Sequence, residues 1–235
     1  MPVIRYITLC AALIGCAQRP RPFSEVASAV VGVYNEDLGL ACSGVRIASD
    51  LVLTARHCVA RLRGRDCNAY FEAPVEARGV RVTSAPHLFG SESLHAVRIH
   101  VPAGNRLCGD DLAVVALATP LSNSAQLTWP NAALVGTPSY HAIGYGALNA
   151  RGVGLGERRL HGAGKLAQLT EGLWQGNVPV CAGDSGGPAL DSDGHVLAIL
   201  SHAPARQGCF RGMYTALQPH SAWLRSLRSS ALDEG

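Results

Sequence analysis

The sequence predicts an all-β fold with one short helix at its C-terminal end. Three observations predict it. Short apolar runs with β-branched content recur along the chain, separated by Gly, Pro, Asn, Asp and Ser. No long run of 3.6-residue period interrupts them. The helical pattern comes last, where Trp223, Leu224 and Leu227 are spaced along one face with arginines between them over 219–229. By pattern alone the strands form a sandwich or a barrel.

The elements follow in order. Residues 1–15 read as an export signal: Arg5 supplies the positive head, and 6–14 is an apolar stretch too short to span a bilayer. Leu13-Ile14-Gly15-Cys16 has the form of a bacterial lipobox, with Cys16 as the lipidated first residue. The alternative is an ordinary secretory signal that contains a cysteine. Residues 16–24 are proline-rich and polar, a tether. Strand-like runs follow at 29–34, 44–47, 51–55, 80–83, 97–101 and 112–117. The polar stretch 119–130 reads as a crossover. Further runs stand at 140–143, 195–200 and 213–217. Residues 144–165 are glycine-rich but never reach Gly-Lys-Ser/Thr, so a mobile surface loop is expected there rather than a phosphate cradle.

Composition bounds the function. The chain has 235 residues, 48% hydrophobic and 16% charged, enough for a packed core and too apolar for a disordered chain. A net charge of +3 without a clustered basic stripe argues against nucleic acid. Of 20 basic residues only Lys165 is lysine, which reads as codon bias. Of eight cysteines, Cys10 leaves with the signal and Cys16 would carry lipid. The remaining six suit an oxidising compartment and allow about 15 pairings. No CxxC or HExxH occurs, so neither a metal nor a cofactor is expected.

The chemistry lies in three segments. Cys181-Ala182-Gly183-Asp184-Ser185-Gly186-Gly187-Pro188 sets a serine among glycines, with an acid before it. Thr54-Ala55-Arg56-His57-Cys58 offers a histidine. Asp111 opens the apolar run Leu112–Leu117. Together with Cys42-Ser43-Gly44, Gly144-Tyr145-Gly146, Ala198–Ser201 and Gly212–Thr215, these resemble the chymotrypsin/trypsin-like serine protease family from about 30 to 227. The order His, Asp, Ser is that of chymotrypsin, not of subtilisin or the α/β-hydrolases. The resemblance implies two six-stranded antiparallel Greek-key barrels, at about 25–120 and 130–218, in a peptidase domain over 25–228. It implies Cys42–Cys58 and Cys181–Cys209 disulfides, which leaves Cys67–Cys108 as the third.

It also implies roles. Ser185 is the nucleophile and His57 the base, later the acid for the leaving amine. Asp111 holds the imidazole tautomer, with Asp110 as the rival. The N–H groups of Gly183 and Ser185 form the oxyanion hole. Ser201 matches a serine that bonds the aspartate, or is an ordinary strand serine. The pocket for the residue before the cut has Pro179 at its base with Val180 beside it, Ala203 and Gly212 as walls and Ala182 at its entrance. Trypsin-like cleavage after Arg or Lys needs an acid at the base, since a buried cation must be paired; Pro179 and Val180 offer none. An uncharged apolar pocket is therefore expected. His202 stands where the family has tryptophan; the alternative to an apolar preference is that it biases the cleft toward acidic side chains.

Family zymogens free an Ile-Val-Gly-Gly-like amino terminus that pairs with the acid before the nucleophile, here Asp184. Val30-Val31-Gly32 superficially fits, but Val30 lies only 12 residues before Cys42, which leaves no room for a first strand unless 29–34 is that strand. Asp184 then needs another partner. Arg56 replaces an alanine near the cleft rim. The expected function is a serine endopeptidase acting on proteins or peptides, monomeric, in the periplasm, anchored to the outer membrane or secreted. The alternatives are a non-catalytic binding protein on the same fold and an esterase using the same residues.

Overall fold

The structure is a computed structural model that describes residues 22–122, 125–202 and 209–233. The signal, the lipobox with Cys16, and Ala203 lie outside the described residues. Of the expected tether, Phe23 and Ser24 belong to a helix, Phe23–Ser28, that leads into the first strand.

Fourteen strands follow: β1 Val30–Asn35, β2 Leu40–Arg46, β3 Leu51–Thr54, β4 Ala60–Arg63, β5 Tyr70–Pro74, β6 Val80–Thr83, β7 Leu94–His100, β8 Ala113–Leu117, β9 Ser139–Gly144, β10 Arg159–Thr170, β11 Leu173–Val180, β12 Pro188–Leu190, β13 Val196–His202 and β14 Phe210–Ala216. They close two six-stranded antiparallel barrels, β1-β2-β3-β8-β7-β6 and β10-β11-β14-β13-β12-β9, with β4 and β5 as a separate hairpin. The predicted all-β class is the observed one.

Full closure leaves each barrel no free edge. β3 is buried along its whole length and pairs Val52 with Val115 and Leu53 with Val114. One apolar cluster runs through barrel one and on into Ile143, Tyr145, Leu190, Val196 and Ile199 of barrel two. A second fills barrel two around Tyr140, Trp174, Val180, Leu200 and Tyr214. The C-terminal helix, Ser221–Asp233, buries Leu224 completely in the shared cluster and lays Arg228 over the ring of Trp129.

The glycine-rich stretch is only partly a loop, because β10 begins at Arg159. Gly164 sits where a Cβ would run into Asn177 and Val178 of β11. Glycine there marks close strand approach, not mobility. β11 escaped the sequence reading because Gln175, Asn177 and Pro179 interrupt its apolar positions. Three disulfides, Cys42–Cys58, Cys67–Cys108 and Cys181–Cys209, close loops of 16, 41 and 28 residues. Among the described residues no helix is long and apolar enough to cross a membrane.

Leu224→Ala is expected to cost about 2–5 kcal/mol of stability through lost burial and the cavity left behind. The exposed Arg225→Ala should stay within about 0.5 kcal/mol. Urea denaturation of the two variants checks this.

Candidate functional site

His57 sits in a single helical turn, Arg56–Cys58, entered directly from β3. The Cys42–Cys58 bond ties that turn back to β2. Asp111 stands two residues before β8, after a turn that Cys108 fastens to Cys67. The Asp111 carboxylate is fully buried and has three donors. His57 Nδ1 meets Oδ2 at 2.8 Å, and the His57 backbone N–H donates to Oδ1 at 2.9 Å. The Ser201 hydroxyl, on β13 of the other barrel, donates to Oδ2 at 2.5 Å. The rival Asp110 instead accepts from the Arg106 backbone.

This arrangement sets the charges. Burial opposes protonation of the His57 ring, but the charge and hydrogen bond of Asp111 outweigh it, so the imidazole is held above its ordinary pKa. Burial likewise works against the Asp111 anion. The His57 charge and the donors from His57 and Ser201 prevail, and its pKa falls below the ordinary value. The Asp111 bond to Nδ1 leaves Nε2 as the nitrogen for proton transfer. That nitrogen lies 3.8 Å from Cys58 Sγ.

Ser185 follows a tight turn. Gly183 and Gly186 have φ of +97° and +83°, a region L side chains rarely adopt, and a Cβ on Gly186 would also strike Ser43 O and Thr54 Oγ1. The N–H groups of Gly183 and Ser185 have no acceptor among the described residues, while Asp184, Gly186 and Gly187 each donate to a backbone carbonyl. The Ser185 hydroxyl donates to Ser201 O at 3.5 Å rather than to His57. Ser43 braces the turn from barrel one. Its N–H donates to Ser185 O at 2.7 Å, its hydroxyl donates to Gly183 O at 2.8 Å, and it accepts the Tyr145 N–H. Sequence reading missed this role. The available signal was a hydroxyl in Cys42-Ser43-Gly44, where the family pattern has glycine.

A half-buried histidine beside a fully buried aspartate, with a serine on a glycine turn where two barrels meet, is the arrangement the sequence resemblance implies, and the family comparison agrees. The model described as Trypsin matches residues 19–224. The chain belongs to the trypsin family. A protein C activator from Agkistrodon piscivorus leucostoma is 26% identical over 83% of this chain and 80% of its own length. The venom plasminogen activator of Gloydius brevicauda is 25% identical over 84% and 81%. Among solved structures, two scabies mite inactivated protease paralogues share the fold at 15% identity. Their TM-scores are 0.68, covering 88% of this chain and 96% of the paralogue, and 0.70, covering 87% and 94%.

In this trypsin-family chain the expected pocket residues take different positions. Val180 is buried in the core of barrel two, and a Cβ on the buried Gly212 would collide with Val180 and Leu200. Pro179 is exposed on β11 opposite Arg211, and Ala182 is exposed on the nucleophile turn. His202 is half-buried; its Nδ1 lies 3.0 Å from the Ser201 hydroxyl, and burial first of all lowers its pKa. With His57, Leu107 and the 60–63 segment it lines a cavity of about 510 Å³. Arg56 is not at a rim: it is buried, stacked on Phe71, and donates to Gly104 O.

Among the described residues two side-chain groups have the proximity of metal ligands. Cys42, His57 and Cys58 are one, but both sulfurs are tied in a disulfide and provide no thiolate. Asp191, Asp193 and His195 are the other, on the β12–β13 turn, where Asp191 already accepts from both backbone N–H groups and meets the His195 ring.

In the Ser185→Ala chain, NMR titration of the His57 ring should give a pKa above the ordinary ~6.5. Adding Asp111→Asn should drop it below that value, because burial then acts unopposed. A pKa unmoved by Asp111→Asn would contradict the electrostatics described here.

Proposed function

We propose that this trypsin-family chain is an exported serine endopeptidase that works through an acyl-enzyme on Ser185. The observation that carries the reading is the Asp111 carboxylate, buried without solvent contact and satisfied by His57 and Ser201. Such a carboxylate orients the imidazole and stabilises its protonated form.

Ser185 attacks the substrate carbonyl while His57 takes the hydroxyl proton. The carbonyl oxygen becomes an oxyanion held by the Gly183 and Ser185 N–H groups, where losing one donor costs about 2.7–4 kcal/mol of barrier. His57 then passes its proton to the leaving amine. A water, deprotonated by the same nitrogen, releases the acyl group. The first step requires the Ser185 hydroxyl to turn from Ser201 O to His57. Nucleophile–base contacts commonly tighten only once substrate binds. A non-catalytic reading is favoured by that hydroxyl's present bond alone.

The absence of an acid at Pro179 and Val180, the positions expected at the pocket base, supports preference for small or medium apolar side chains before the cut over Arg or Lys. An export signal over 1–15 with the lipobox cysteine after it, and three disulfides, support work in an oxidising compartment with a lipid anchor at Cys16.

A fluorophosphonate probe should label the chain once, on Ser185, and Ser185→Ala should abolish the label. Absence of labelling after every processing treatment overturns the enzyme reading. With labelling established, a peptide library should show cuts after apolar residues, and strong Arg or Lys preference contradicts the pocket assignment. Parallel ester and peptide substrates separate an endopeptidase from an esterase. Intact mass of the mature chain should show a diacylglyceryl addition on Cys16, and an unmodified amino terminus refutes the anchor.

A further inference from the structure

Asp184 stands immediately before the proposed nucleophile and its side chain is 2% exposed. A buried carboxylate needs a counter-charge or a full set of donors. The segment that superficially resembles an activating amino terminus does not supply one. Val30 is fully buried in β1, paired with Val45, and its carbonyl accepts from Arg158.

What faces Asp184 is a histidine. His161 Nε2 lies 2.6 Å from Asp184 Oδ1, and its side chain is 8% exposed. The two atoms are in close contact without hydrogen-bond alignment. His161 reaches this position through a β-bulge. Between Leu160 and Gly162, β10 carries one residue more than β9, and His161 is that residue. A bulge re-aims one side chain without ending the strand. The other side of the carboxylate is prepared for it too: Gly146 N–H donates to Oδ1 at 2.8 Å and Cys181 N–H to Oδ2 at 2.9 Å. A Cβ on Gly144 or Gly146 would occupy the space the carboxylate fills.

The remaining polar neighbours do not compete. Tyr214 on β14 feels the Asp184 charge but carries none of its own. The Ser43 hydroxyl is taken by Gly183 O and the Tyr145 N–H. The Arg159 guanidinium is committed to the carbonyls of Gly146 and Gly154 and to Glu157.

We infer that His161 is a positioning residue that holds Asp184 in place of a freed amino terminus, so that the Gly183–Ser185 turn is ordered without proteolytic activation. This rests on the serine peptidase reading and deepens it. Asp184 lies between the two proposed oxyanion donors, and a carboxylate free to swing out would carry the Gly183 N–H with it. Arginine in the same place sets a guanidinium against the carboxylate.

The test compares fluorophosphonate labelling rates of the full chain, without amino-terminal cleavage, for wild type, H161F and H161R. The expected result is labelling of the uncleaved wild type, a loss of about 10²–10³-fold in H161F, the effect of losing one oxyanion donor, and recovery to within about tenfold in H161R. Equal rates in wild type and H161F overturn the inference, as does labelling that begins only after a cut near Val30. Amide exchange in the Ser185→Ala chain supplies a readout that needs no activity. H161F should speed exchange at Gly146 and Cys181, the two N–H groups on Asp184, by more than about tenfold, with rescue by H161R. Unchanged exchange refutes the His161 role. A wild type that never labels refutes the peptidase reading alone.

Discussion

The Asp111 carboxylate is the interaction on which the functional centre depends. It comes from barrel one, and its donors come from both barrels: His57 from the turn after β3 and Ser201 from β13. Removing one partner of such a buried group typically costs about 3–5 kcal/mol, a large share of the roughly 5–15 kcal/mol that holds a domain folded. The barrels are therefore held in one relative position, since a small slip would leave the charge short of a donor. Apolar burial still provides the driving force. The cluster that joins Leu53, Leu112 and Val114 to Ile143, Ile199 and Leu224 brings the barrels together without fixing their alignment. Non-directional burial supplies the association, and the carboxylate supplies the register.

Two buried carboxylates bracket the serine, and each faces a histidine across elements far apart in sequence. Asp111 faces His57, which is partly open to solvent and must gain and lose a proton. Asp184 faces His161, which stands on β10 and is almost fully enclosed. Same residue types, different access, different work. Ser43 joins the two halves by bonding backbone on both sides of the nucleophile turn. Loss of its hydroxyl would loosen the turn without touching either histidine.

Much of this was legible in the sequence because it is local. Asp184-Ser185-Gly186-Gly187 and Ala55-Arg56-His57-Cys58 announce a nucleophile and a base within a few residues. Runs such as Val80–Thr83 and Leu51–Ala55 are continuous enough to read as strands. β10 and β11 were hidden, because their glycines, Pro179 and Asn177 look like turn residues until the neighbouring strand is in place. The partner of Asp184 was illegible for a similar reason. His161 is unremarkable among nine histidines, and only the bulge at Leu160–Gly162 turns it inward. What the sequence did contain was the question, an acid before the nucleophile and no amino terminus to meet it.

The central claim is that these residues make Ser185 a nucleophile. It is tested most directly by trapping the intermediate. The intact chain is mixed with an excess of a p-nitrophenyl ester of a short apolar acyl peptide, quenched in acid during the first turnover, digested and mapped by mass. One acyl group per chain on Ser185, absent in His57→Ala, is the expected result. Product release with no acyl group on Ser185, or acylation unaffected by His57→Ala, would contradict it.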